Sequence, residues 1–166
     1  MSADDSQRYI QHWNKVKKET MNSSMMSAGD MKKYIKDMQN QTNSKITKKQ
    51  LNNIKENIRN NVYLKMDNDL ARESRRDFGN VKKKLINKWE QETGQKWPKY
   101  TQNVINPHTG KVSRIKDALY DAHEIIPNAY GGPKEWWNII PAKFSNEHQG
   151  GIHRKGGIWR TLFPDL

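Results

Sequence analysis

The segment Asp121–His153, DAHEIIPNAYGGPKEWWNIIPAKFSNEHQGGIH, decides how this chain is read. It holds three of the five histidines, His123, His148 and His153, with Glu124 beside the first and Asn138 between the first and second. Ala122 to Pro127 carries two isoleucines and ends at a proline, which suits a short strand. Gly131, Gly132 and Pro133 signal a turn. Trp136 to Pro141 reads as a second short strand, again closed by proline. Ser145 is placed to cap a short helix, with Glu147 in the first turn, where a carboxylate suits the helix dipole. Gly150 and Gly151 then interrupt that helix before His153. The expected unit is strand, loop, strand, short helix, with histidines at the element ends.

Imidazole is the commonest side-chain metal ligand and binds near pH 7 with little proton penalty. Histidines clustered among turn residues, rather than along an apolar face, mark a candidate metal site. With a carboxylate and an orienting asparagine, the set has the parts for phosphodiester hydrolysis. A cation can polarise the phosphorus centre, and a base can take a proton from the attacking water. Two blander readings stand beside this one. A closed structural zinc site is usually rich in cysteine, and the chain has none. Histidines satisfied by ordinary hydrogen bonds are the other.

The order His-Glu, then Asn, then His and His resembles the HNH, or endonuclease VII-like, nuclease motif. GGPKEWWNIIP followed by EHQGGIH is especially similar to nuclease domains of bacterial polymorphic toxins, the interbacterial, LXG-type or contact-dependent proteins. The similarity covers about the last third of the chain. The resemblance implies a ββα-metal core in which His123, His148 and His153 hold one divalent ion (Mg, Zn, Mn or Ni). Glu124 aligns with the general base, and Asn138 with the residue that braces the catalytic loop. Relatives usually carry histidine where Glu124 stands, and a free glutamate, with a pKa of about 4.3, is a weak base at pH 7. Burial against Ile125, Trp136 and Trp137 would raise that value, whereas a nearby cation would lower it. The exchanged assignment, with His123 as base and Glu124 as ligand, is the alternative. The toxin resemblance also implies a cognate, acidic immunity protein. It implies export as part of a larger toxin, action in the target-cell cytoplasm, and cytoplasmic residence with the immunity protein in the producer.

Composition agrees with a polyanionic partner. Thirty Lys and Arg against 18 Asp and Glu give a formal charge of +12, a field that draws nucleic acid inward. The runs Arg75-Arg76 and Lys82-Lys83-Lys84, with Arg154 and Lys155, are candidates for the phosphate backbone. Solvated helix faces are the ordinary reading of the two runs. With only 33% apolar residues, the core must be modest or shared. The absence of cysteine excludes a disulfide framework and thiol chemistry. No stretch approaches the ~20 apolar residues of a membrane span. MSADDSQRYIQHW has no apolar run of a secretory signal, so export is expected as a piece of a longer protein or by a route without a cleaved leader.

All six prolines and seven of the ten glycines follow residue 95. Residues 1–94 therefore read as a helical, basic portion and residues 95–166 as the nuclease core, together an α+β unit. Helical spacing links Tyr9, Ile10, Trp13 and Val16, and again Met31, Tyr34, Ile35 and Met38. Thr47 precedes a stretch with Leu51, Ile54, Ile58 and Val62 on one face. Asn68 or Asp69 is placed to cap a last helix through Leu70, Phe78, Val81, Leu85 and Trp89 to Gly94. Asn22 to Gly29 and Gln39 to Asn43 read as connections. Methionines 21, 25, 26, 31 and 38 read as flexible core filling, and His12 as structural. Asn106 to Gly110 reads as a hairpin turn that exposes His108. The expected activity is endonucleolytic cleavage of DNA with little sequence preference. A ribonuclease toxin, or a non-catalytic nucleic-acid-binding module with a structural metal, is the alternative.

Overall fold

The computed structural model describes residues 8, 11, 28–61, 63–144 and 146–164. From residue 28 onward, the helices α1 (Ala28–Thr42), α2 (Lys48–Asn60) and α3 (Asn68–Thr93) precede a hairpin of β1 (Val104–Ile105) and β2 (Val112–Arg114). The antiparallel ribbon of β3 (Asp121–Glu124) and β4 (Ile139–Ala142) follows, then a single π-helical turn at His148–Ile152 and a short α4 (Ile158–Leu162). The α+β class expected from the sequence is observed, in a form compatible with a ββα-metal core.

The helices form where local chemistry favours them. In α1, Met31, Tyr34, Ile35 and Met38 are buried at the expected spacing. Thr47 caps α2 by accepting from the Gln50 backbone N–H, and Ile54 and Ile58 lie inside while Leu51 packs at the edge of the core. The cap of α3 is Asp67 rather than Asn68 or Asp69: its carboxylate accepts from the N–H groups of Asp69 and Leu70. Gly94 ends α3 with φ 69°, a left-handed conformation that glycine adopts without a Cβ penalty. The connection expected over Gln39 to Asn43 is mostly helix. Thr42 donates to the Met38 carbonyl and is buried, and Asn43 ends the element at φ 49°. Tyr9, Ile10, His12, Trp13, Val16, Met21, Met25, Met26 and Val62 lie outside the described residues.

One buried cluster joins these elements, with Tyr34, Ile54 and Trp89 from the helices and Ile125, Ile126, Ile139, Ile140, Ile152 and Phe163 from the remainder. The edge-to-face pair Trp89–Trp97, 5.0 Å between centroids, ties the end of α3 to the chain beyond it. The core therefore draws on both sides of residue 95.

The ribbon pairs Asp121 with Ala142, Ala122 with Pro141, His123 with Ile140 and Glu124 with Ile139. The expected strand over Ala122 to Pro127 therefore ends at Glu124. The expected second strand starts late, because Trp136–Asn138 forms a 3₁₀ turn first. Pro141 does not close that strand but sits inside it. In a two-stranded ribbon each strand is an edge, where a missing N–H is tolerated.

Candidate active site

Strand β3 sorts the chemistry, because residues two apart share a face and neighbours oppose. Asp121 and His123 turn one way. The π-helical turn brings His148 and His153 to that face, and one ring nitrogen from each of the three histidines lies within 4.8 Å of the others. Ring centroids are 5.1 Å apart for His123–His148 and His123–His153, and 4.6 Å for His148–His153. The glycines expected to interrupt a helix before His153 instead lie within the π turn, which aims both histidines inward. Glu147 accepts from the Lys143 backbone N–H at 2.8 Å and anchors the start of that turn; the expected cap, Ser145, lies outside the described residues.

Each histidine has a neighbour from another element. The Tyr34 hydroxyl donates to the Ile125 carbonyl at 3.0 Å and lies 2.8 Å from His123 Nε2. A hydroxyl has one proton, and a carbonyl can only accept. With that proton committed to Ile125, Nε2–H of His123 is the donor to Tyr34, which leaves the lone pair on Nδ1 for a ligand. Burial, with Asp37 nearby, raises the Tyr34 pKa and keeps the hydroxyl neutral. Asp121 lies 3.7 Å from His148 Nδ1, too far for a hydrogen bond but within ion-pair range, and takes two hydrogen bonds at 2.8 Å from Arg114. Burial pulls the Asp121 pKa upward, but His148 and Arg114 outweigh it and bring it to about 2. Trp159 stacks on His153 at 3.9 Å and 24°. Arg154 grips Asp37 of α1 through two hydrogen bonds at 2.7 and 2.9 Å and fixes the end of the turn against that helix.

The donors suit a divalent cation. His148 Nδ1 and His153 Nε2 are buried and have no hydrogen-bond partner among the described residues. Desolvation, followed by the neighbouring histidines, holds the His123 pKa well below its usual value. Burial, then His148 and Arg160, lowers that of His153 to about 4. Neutral imidazoles with orphaned buried nitrogens can accept a metal without first losing a proton.

The opposite face holds Glu124, which does not belong to the histidine cluster. Its Oε1 is buried and has no hydrogen-bond partner among the described residues. Burial raises its pKa to about 7, against the lowering effects of Arg75 and Lys134. That removes the weakness of a free glutamate, because a base works best near the operating pH. Lys134, half-buried, reaches Ser74 Oγ of α3 at 3.0 Å. Its own pKa is lowered by desolvation, against Asp77 and Glu124.

Among the described residues, the hydrogen bonds of the Asn138 side chain go to backbone groups. Its side chain accepts from the Ile126 N–H at 2.8 Å and donates to the Ile126 and Pro133 carbonyls at 3.0 Å each. The amide pairs both polar groups of Ile126 as a neighbouring strand would, so the pairing continues two residues beyond Glu124. Gln50 of α2 donates to the carbonyls of Trp137 and Ile139 on either side of Asn138. Gly132 has to be glycine, because a Cβ there would lie 1.8 Å from the Ile126 carbonyl oxygen. Asn138 is thus a positioning residue that fixes the loop carrying Lys134 and the end of the strand carrying Glu124.

The basic residues do not form one patch. Arg75 and Lys82, seven apart, share a stripe of α3, and Arg75 acts on Glu124. Arg76 and Lys83 occupy the next stripe outward, while Lys84 lies on the other flank of the helix. Lys155 is exposed, whereas Arg154 is committed to Asp37. Sequence reasoning did not single out Tyr34, Asp37, Gln50, Arg114, Asp121, Lys134 or Trp159. For Asp121 a signal existed, since it stands two residues before His123 on a strand. For Tyr34 none did: its spacing is that of any core residue.

No family model matches the chain. It is 47% identical over 133 residues to a Bacillus subtilis (strain 168) protein named "Toxin YxiD", covering 80% of this chain and 23% of that protein. It is 36% identical over 90 residues to a Dickeya dadantii (strain 3937) protein named "Probable deoxyribonuclease RhsB", covering 54% of this chain and 5% of that protein. Both names support a nuclease domain of a polymorphic toxin. The chain thus spans about a quarter of the first relative and a small fraction of the second. The first match reaches beyond the last third of the chain, where the motif resemblance lay.

Proposed function

We propose that this chain is a metal-dependent endonuclease of the HNH type, acting on DNA as the nuclease domain of an interbacterial toxin. One observation carries the reading. Three histidine donors converge beside one face of β3, His123 and His153 kept neutral by burial, and a carboxyl group pushed to about 7 stands at the end of the same strand. His123, His148 and His153 would hold the ion, with Tyr34 orienting His123 and Trp159 stacked on His153. A divalent ion there supplies electrophilic polarisation of the phosphorus centre and offsets charge on the leaving oxygen. Glu124 takes the proton from the attacking water; its absence from the histidine cluster favours this role over that of ligand. Asn138 holds the loop so that the base keeps its place.

DNA is favoured as substrate because a relative is named a probable deoxyribonuclease. The toxin name of the other relative, and the +12 charge, support a cognate acidic immunity protein that covers this surface in the producing cell. They also support action inside a target cell after export with a larger protein. Among the described residues no helix is long and apolar enough to cross a membrane. The test is nicking of supercoiled plasmid with and without EDTA, beside an RNA substrate. Metal-dependent nicking of plasmid alone is expected. Cleavage of RNA alone would move the reading to a ribonuclease, and binding without any cleavage would move it to a nucleic-acid-binding module.

A further inference from the structure

We infer that the β1–β2 hairpin enters the major groove of a DNA duplex, with Ile105 and Val112 against sugars and base edges and Lys111 on a flanking phosphate. This rests on the chain being a nuclease of double-stranded DNA and adds to it the element that holds the duplex beside the histidine site. Among the described residues, the large hydrophobic side chains that stay exposed are Ile105 (50%), Val112 (48%), Ile115 (64%) and Leu119 (37%), all between residues 105 and 119. Ile105 and Val112 are partners across the two strands. Exposed aliphatic side chains gathered in one place mark a contact surface. From Lys99 to Lys116 the sequence carries four cations and no carboxylate, and Lys99, Lys111 and Lys116 are exposed. A polyanion whose grooves are lined by sugars and base edges matches both the charge and the apolar pair. An acidic protein would match the charge as well; the place of the hairpin beside the histidines favours the substrate.

Arg114 ties the hairpin to that site. From β2 it donates two hydrogen bonds at 2.8 Å to Asp121, which lies 3.7 Å from His148 Nδ1. Its guanidinium also packs 4.4 Å from the ring centroid of Phe144, between β4 and the π-helical turn. Residues two apart on a strand share a face, so Val112 lies on the face of β2 that carries Arg114 toward Asp121. The aliphatic pair therefore adjoins the surface of His148 rather than turning away from it, and a duplex with one phosphate at the histidines passes the hairpin. The dimensions fit. Paired strands are about 4.8 Å apart, and the major groove of B-DNA, about 12 Å wide, admits a two-stranded ribbon. The deep, narrow major groove of an RNA duplex does not. The ribbon brings few free groups for reading bases. Asn106 Oδ1 accepts from the N–H groups of His108 and Thr109, and Asn103 Oδ1 from that of Lys116. Aliphatic contact then holds the duplex with little preference for its sequence.

Binding in EDTA separates the hairpin from the metal site. A short DNA duplex, its single strand and an RNA duplex of the same sequence are titrated by fluorescence anisotropy over a range of NaCl concentrations. The proteins are wild type, the double variant Ile105→Ser/Val112→Ser, Lys111→Gln, and Lys32→Met as a control at an exposed position on α1. The double variant should bind the DNA duplex at least about tenfold more weakly, the scale of burying the exposed halves of two aliphatic side chains. Its salt slope should stay that of wild type, because apolar contact releases no counterions. Binding of the single strand and of the RNA duplex should change little. In Lys111→Gln the slope of log K against log salt should fall by about 0.9, the value of one phosphate contact, and Lys32→Met should leave it unchanged. A folded double variant that keeps its duplex affinity, or loses affinity equally for all three nucleic acids, would overturn groove entry. If that variant fails to fold, an unchanged slope in Lys111→Gln would do so. With plasmid nicking by wild type intact, either result returns the patch to a protein partner and leaves the nuclease reading standing. A wild type that neither binds nor cuts DNA would overturn both.

Discussion

On one face of β3, His123 and Asp121 look toward α1 and the π-helical turn. On the other, Glu124 looks toward α3. The two faces are one residue apart in sequence and differ in kind. The first collects three imidazoles, two of which, His123 and His153, burial keeps neutral, with Asp121 drawn off by Arg114. The second collects one carboxyl held near 7 and two cations. A cation site needs unprotonated donors, and proton transfer needs a base with intermediate affinity for a proton. The pleat of a strand separates these requirements at no cost in distance along the chain.

The sharpest way to break this comparison is to strip the first face. His148→Ala or His153→Ala should abolish metal-dependent nicking while helical circular dichroism stays largely intact. Wild-type activity in both variants would remove the metal site from the account. On the second face, Glu124→Gln keeps size and polarity but cannot accept a proton, and cleavage should fall by at least ~10²-fold. Metal affinity, read by calorimetry, should hardly change in that variant. A clear loss of affinity, rescued by excess metal, would instead make Glu124 a ligand and dissolve the division between the faces.

Smaller effects test the support behind the histidines. Tyr34→Phe removes the group that fixes the His123 tautomer and should weaken metal binding about tenfold, at the lower end for an outer-shell partner. Cleavage at saturating metal should remain near wild type. The smallest expected effect is the acid sensitivity of the metal-free protein. The folded-state pKa values of His123 and His153 lie below the unfolded value, so protonation favours the unfolded chain. This part of the stability is present above about pH 6.5 and erodes as pH falls toward the His153 value of about 4. Melting temperatures across that window should drop in wild type and drop less in His153→Ala.

Much of this arrangement was legible before any coordinates. Glu124, Asn138 and His148 fall at element ends and His153 just after one, as the turn signals around them imply, whereas His123 lies inside β3. Thr47, Gly94 and the core spacing of α1 and α2 read correctly, because caps and apolar periodicity are local physics. Element edges were less legible. Glu124 ends β3 early because the Asn138 side chain takes over the pairing at Ile126, and no pattern within Ala122 to Pro127 encodes that partner.

The sequence by itself determined the reagents: three imidazoles, one carboxyl, an asparagine and an excess of positive charge, spaced so that a short ribbon and a turn could gather them. Tertiary structure decided their states. Tyr34 sits 89 residues from His123 in the chain and sets its tautomer, and the charges of Arg75 and Lys134 act on Glu124 from separate elements. Residue type fixes a donor or acceptor inventory and an ordinary pKa. Burial and through-space charge then shift that pKa and choose the free lone pair, and both exist only once distant segments pack.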